Sequence, residues 1–118
     1  MIRFRVATLG VAAAVAMAAF AVPAMAHQSR AASTITVTTG DLWFKLSAKS
    51  VKAGSVTFKV TNSGQLQHDF QIAGKKTKLL SHGQSASLTV TLKKGSFPYI
   101  CTVPGHAAGG MKGTLKAT

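Results

Sequence analysis

From Thr34 onward the chain alternates polar and apolar residues in short stretches. Val56, Phe58 and Val60 are interleaved with Thr57, Lys59 and Thr61, and Leu88, Val90 and Leu92 with Thr89 and Thr91. A period of two gives each stretch one dry face and one wet face, the pattern of a strand half-buried in a sheet. The alternation predicts strands near 34–38, 42–48, 55–61, 67–73, 86–92, 96–102 and 111–117. Turn formers punctuate them at Gly40-Asp41, Ala53-Gly54, Asn62-Ser63-Gly64, Gly74-Lys75, His82-Gly83 and Lys94-Gly95. Seven short strands at this spacing predict an all-β domain folded as a two-sheet sandwich. No long stretch has helical period, and the one ambiguous region, between Ile72 and Ser85, leaves room for a short helix.

The first residues follow a different pattern. Met1-Ile2-Arg3-Phe4-Arg5 is a short basic start, an uncharged Ala/Val run extends to Val22, Pro23 breaks it, and Ala24-Met25-Ala26 supplies small residues for a signal peptidase. Residues 1–26 are therefore expected to be a signal peptide cleaved after Ala26, and residues 27–118 the mature domain, periplasmic or secreted. The uncharged run falls short of the roughly 20 residues that span a bilayer, so no membrane insertion is expected after cleavage. Arg3 and Arg5 are not adjacent and no cysteine stands near the cleavage site, which excludes a twin-arginine signal and a lipid anchor. The remaining length suits one domain with one modest core.

Charge narrows the partners. The chain has 14 Lys and Arg against 2 Asp and Glu. Losing Arg3 and Arg5 with the leader leaves twelve basic residues against Asp41 and Asp69, a net +10. Such a balance suits nucleic acid, an anionic membrane or an acidic protein, and export argues against nucleic acid. Solubility alone is the plainer reading of the same charge. A single cysteine forms no internal disulfide, so a lone thiol in an oxidising compartment makes Cys101 the residue to explain.

Cys101 opens the most informative segment, Cys101-Thr102-Val103-Pro104-Gly105-His106-Ala107-Ala108-Gly109-Gly110-Met111, in which a thiol, an imidazole and a thioether follow with four residues between successive members. These are the soft ligands that copper selects. Pro104-Gly105 and Gly109-Gly110 are turn formers able to bend the three toward one point. A trigonal site needs a second imidazole, and His68 shares a strand face with Phe70 and Ile72, pointing it into the sandwich. By the same parity Tyr99 and Cys101 share the face of Phe97, and Met111 that of Leu115.

Asn62-Ser63-Gly64 ahead of His68, followed by Cys101, His106 and Met111 on one loop, resembles the type 1 (blue) copper site of the cupredoxins, in particular the plastocyanin, azurin and pseudoazurin groups. The resemblance covers most of residues 34–118 and implies a Greek-key cupredoxin sandwich. The Cys-Thr-Val-Pro-Gly-His string is close to that of azurins, whereas the Ala-Ala-Gly-Gly-Met spacing resembles plastocyanins and pseudoazurins. It further implies an apolar surface around His106, formed by Pro104, Ala107 and Ala108, where electrons enter and leave. Asp69 and Thr102 become candidates for hydrogen bonds that brace the ligand-bearing segments.

Singly, Cys101 reads as a buried thiol, His68 as a strand-end histidine, His106 as a loop residue and Met111 as core filling. In this order, with turn formers between three of them, they specify one copper ion per chain. His82 reads as a solvent-exposed turn residue. His27, once amino-terminal, offers its imidazole and α-amino group to a second metal ion or is simply exposed. Trp43, Phe44 and Phe58 read as core.

The expected function is non-enzymatic, since a dinuclear site needs a second cysteine and the multicopper oxidases need further histidine pairs. A monomeric carrier would pass single electrons by Cu(I)/Cu(II) cycling between redox proteins, at least one with an acidic surface. A periplasmic copper carrier, chaperone or copper-resistance protein would use the same ligands, and a metal-free adhesion sandwich is the third alternative.

Overall fold

The alternating stretches pair into two sheets in the computed structural model, which describes Gly10, residues 12–16, 18–19 and 32–118. The cleavage site after Ala26 and the chelate at His27 lie outside the described residues. Among those residues the strands are β1 (Ser33–Gly40), β2 (Trp43–Leu46), β3 (Ser50–Val51), β4 (Gly54–Asn62), β5 (Gln71–Ile72), β6 (Lys75–Lys76), β7 (Ser85–Leu92), β8 (Gly95–Ile100) and β9 (Lys112–Ala117). One sheet runs β2-β1-β4-β7 and the other β3-β9-β8-β5-β6. The β1–β4 and β3–β9 pairs are parallel and the rest antiparallel. The expected all-β sandwich is thus the observed one.

The dry faces meet as the period of two requires. Val56, Phe58 and Val60 of β4 and Leu92 of β7 are buried against Ile35, Val37, Phe70, Ile72 and Leu115. Phe70 is the aromatic hub, its ring 5.2 Å from Phe58 and 5.5 Å from both Phe44 and Tyr99. Each such ring contributes on the order of 1.5–3 kcal/mol by leaving water. Phe70 stands two residues after His68, so the same packing that builds the core anchors a candidate ligand.

Three expectations need correction. The strand predicted over 67–73 is an isolated bridge of His68 to Leu80 followed by the two-residue β5. Its partner is the returning segment 77–80, which bonds Leu80 N–H to His68 O at 2.8 Å and Thr77 N–H to Phe70 O at 3.0 Å. The short helix allowed between Ile72 and Ser85 does not form. Ala73 and Gly74 both take positive φ (50° and 75°) and close a tight β5–β6 hairpin, as turns of primed type require. Finally, Trp43 is not core but 45% exposed. Phe44 and Leu46 occupy the inward positions of β2, so Trp43 faces outward with Lys45 and lays its indole over Gly40, where any β-carbon would overlap it.

Candidate metal centre

Cys101 follows directly on β8, on the face of the half-buried Phe97 and Tyr99, and only 1% of it is exposed. The chain then turns through residues 103–110 and returns as β9. Within the turn His106 N–H donates to Val103 O at 3.0 Å and Gly109 N–H to Gly105 O at 3.0 Å. Met111 closes the loop from both sides, donating its N–H to His106 O and accepting Cys101 N–H, each at 3.1 Å. Gly110 has φ 121°, a conformation that disfavours side chains, and a β-carbon there would approach Leu42 O to 3.0 Å. The sequence therefore folds 101, 106 and 111 together by backbone hydrogen bonds.

His68 arrives from the opposite side of the site. Its backbone is held by the Leu80 bridge, and the loop before it is organised by buried Asn62. Asn62 Nδ2 donates to Leu66 O and Leu80 O, and its Oδ1 accepts Gly64 N–H, all at 2.8 Å. The result brings His68 Nδ1 to 3.0 Å from His106 Nδ1 and Cys101 Sγ to 3.6 Å from that same nitrogen. One ligand atom from each of these three residues lies within 4.8 Å of the others. His68 is fully buried, and His106 is half-buried toward solvent. Met111 is fully buried at the foot of the same loop.

Both aspartates of the chain belong to this end of the molecule. Asp69 Oδ1 accepts Thr102 N–H at 2.6 Å and Asp69 Oδ2 accepts the Thr102 hydroxyl, the brace expected between the two ligand-bearing segments. In the sequence Asp41 reads as a turn former and as one of the two acids in the charge balance. Its Oδ1 lies 3.0 Å from His68 Nε2 and accepts Leu66 N–H at 3.0 Å, while Oδ2 accepts Gln65 N–H at 3.2 Å. The His68 hydrogen bond, and then that of Leu66, hold the Asp41 carboxyl below the usual carboxylate range. Burial pushes the Cys101 thiol up, against the opposing pull of the Asp69 and Val103 amides. His82 stands apart, exposed, with Nδ1 at 2.8 Å from Gly64 O.

The donor chemistry fits a copper ion. A neutral imidazole carries one proton on its two nitrogens. With its Nε2 beside Asp41 Oδ1, His68 turns Nδ1 toward His106 and Cys101. Two imidazole nitrogens and one sulfur in a buried cluster are the soft and borderline donors that copper prefers over hard cations.

Comparison with known proteins agrees with the geometry. The family described as a cupredoxin-like domain matches residues 10–115. Auracyanin-B of Chloroflexus aurantiacus is 51% identical over 43 residues, a match spanning 36% of this chain and 18% of that relative's length. The copper-resistant cuproprotein CopI of Pseudomonas aeruginosa is 29% identical over 149 aligned positions, covering 82% of this chain and 81% of CopI. Among solved structures, the dithionite-reduced auracyanin of Roseiflexus castenholzii superposes with a TM-score of 0.66 at 24% identity, over 74% of this chain and 98% of its own.

Proposed function

Because the chain belongs to the cupredoxin-like domain family, we propose that it is a blue copper protein carrying single electrons, in which His68, Cys101 and His106 would hold the ion and Met111 would be a weak fourth donor. The observation that carries this reading is the convergence of two imidazoles and the chain's one thiol within 4.8 Å. Bound there, copper supplies a one-electron couple by alternating between Cu(I) and Cu(II). The protein's part is to hold its donors still. His68, Cys101 and Met111 are buried, and the loop from 101 to 111 is tied to itself by backbone hydrogen bonds, so a change of charge need not be met by a change of shape.

His106 is the only one of the four that reaches solvent, and it does so among Pro104, Ala107 and Ala108, with Leu42 packed against Gly109 beside it. That edge gives electrons a short path through an apolar contact to a docked redox protein. On this reading residues 1–26 are the leader that exports the carrier from the cytoplasm, and its net positive charge suits an acidic redox partner.

The rival reading, a copper carrier that surrenders its metal, draws on CopI, a copper-resistant cuproprotein matching 82% of the chain. Stopped-flow experiments separate the two. A shuttle keeps copper against a moderate chelator and self-exchanges electrons rapidly. Fast transfer of Cu(I) to an acceptor protein, together with slow electron self-exchange, would overturn the electron-carrier reading.

A further inference from the structure

The turn joining β1 to β2 carries an arrangement that the four ligands do not account for. Asp41 is one of only two acidic residues in the chain, and it makes no ion pair with any of the many lysines. It faces His68 instead, with Oδ1 3.0 Å from His68 Nε2, and no lysine pairs with a carboxylate among the described residues. The fit is close: a β-carbon on Gly64 would overlap Asp41 Oδ1 and come within 2.8 Å of Asp41 N. The next residue, Leu42, takes φ 65°, a left-handed conformation that costs a branched side chain on the order of 1 kcal/mol. Strain held in place beside a small residue and a satisfied carboxylate marks a position whose geometry is enforced.

We propose that Asp41 is a positioning residue for the metal centre, its carboxylate holding His68 as the Nε2–H tautomer with the Nδ1 lone pair turned to the metal site. The proposal rests on the copper reading for its effect on potential, but its effect on the imidazole holds in the metal-free protein. A negative carboxylate beyond the imidazole makes the ring a stronger donor and favours the more highly charged ion, so Cu(II) gains over Cu(I). The amides of Gln65 and Leu66, which donate to the same carboxylate, fix its direction and clamp the loop before His68 to the β1–β2 turn.

Two variants, compared with the wild type, test this. Nitrogen-15 NMR of the metal-free protein at alkaline pH, where imidazole is neutral, reads the His68 tautomer directly. The wild type should be Nε2–H. Asp41→Asn keeps an acceptor oxygen but no charge, so it should keep that tautomer. It should raise the reduction potential of the copper-loaded protein by about 59 mV for each tenfold loss of Cu(II) preference over Cu(I). Asp41→Ala removes the acceptor as well and should mix the tautomers and weaken copper binding roughly 10- to 100-fold. A purely structural Asp41 would lower the unfolding midpoint in both variants and leave potential and tautomer alone, which would overturn the proposal. So would an Nδ1–H tautomer in the wild type. If the wild type bound no copper, the reading of function would fall while the tautomer measurement still decided the role of Asp41.

Discussion

At the scale of the residue, Cys101 shows how one environment serves two states. Metal-free, it is a thiol held protonated by burial, its pKa raised above the ordinary thiol value. In the unfolded chain the same thiol ionises at its ordinary value of about 8.5. The folded metal-free protein therefore keeps a proton that the unfolded chain loses. The contribution is fully present below about pH 8.5 and is lost as pH rises above that value toward the folded pKa. Denaturant midpoints of the metal-free wild type and Cys101→Ser, followed from about pH 7 to about pH 10, should show the wild type losing stability relative to the variant over that range. Parallel profiles would mean that the thiol is not held protonated by its surroundings.

At the scale of the element, what could be read from the sequence was what is local. Period-two alternation and turn formers announced β1, β4, β7, β8 and β9 nearly to their ends, and parity alone turned His68, Cys101 and Met111 inward. The segment after His68 was misread as one strand because its pairing depends on Leu80 and Thr77, whose return no short-range signal announces. Trp43 was misplaced although the needed signal was present: Phe44 and Leu46 share a face of β2, which leaves Trp43 with Lys45 outside. In the sequence Asn62 reads as a turn former and as part of the motif ahead of His68, and the three hydrogen bonds by which it fixes the loop that delivers His68 emerge only in the fold. Asp41 was invisible as a neighbour of His68 because 27 residues separate them and only the packing of the β1–β2 turn on Gly64 brings them together. The scarcity of acids in the chain was the one hint that each aspartate had a task.

At the scale of the whole molecule, both negative side chains are engaged at the metal end, Asp41 with His68 and Asp69 with Thr102. The lysines elsewhere are left without carboxylate partners among the described residues, so the outer surface presents a field of one sign. Lys75 and Lys76 of β6 and Lys78 beyond it are all exposed. For an acidic partner, such a field raises the rate of encounter while the apolar edge at His106 sets the docked geometry. Replacing Lys75, Lys76 and Lys78 by Gln should slow bimolecular electron transfer at low salt and matter little at high salt, since the Debye length is about 8 Å at physiological ionic strength. A rate indifferent to both salt and these substitutions would assign the charge to solubility.

Electron carriage by this chain requires that one thiolate and two imidazoles hold a single copper ion, and one optical experiment reaches that point most directly. The protein loaded with Cu(II) should show an intense visible sulfur-to-copper charge-transfer band, and Cys101→Ser loaded in the same way should show none. A band that survives the serine substitution, or a wild-type protein that binds Cu(II) without colour, would contradict the site.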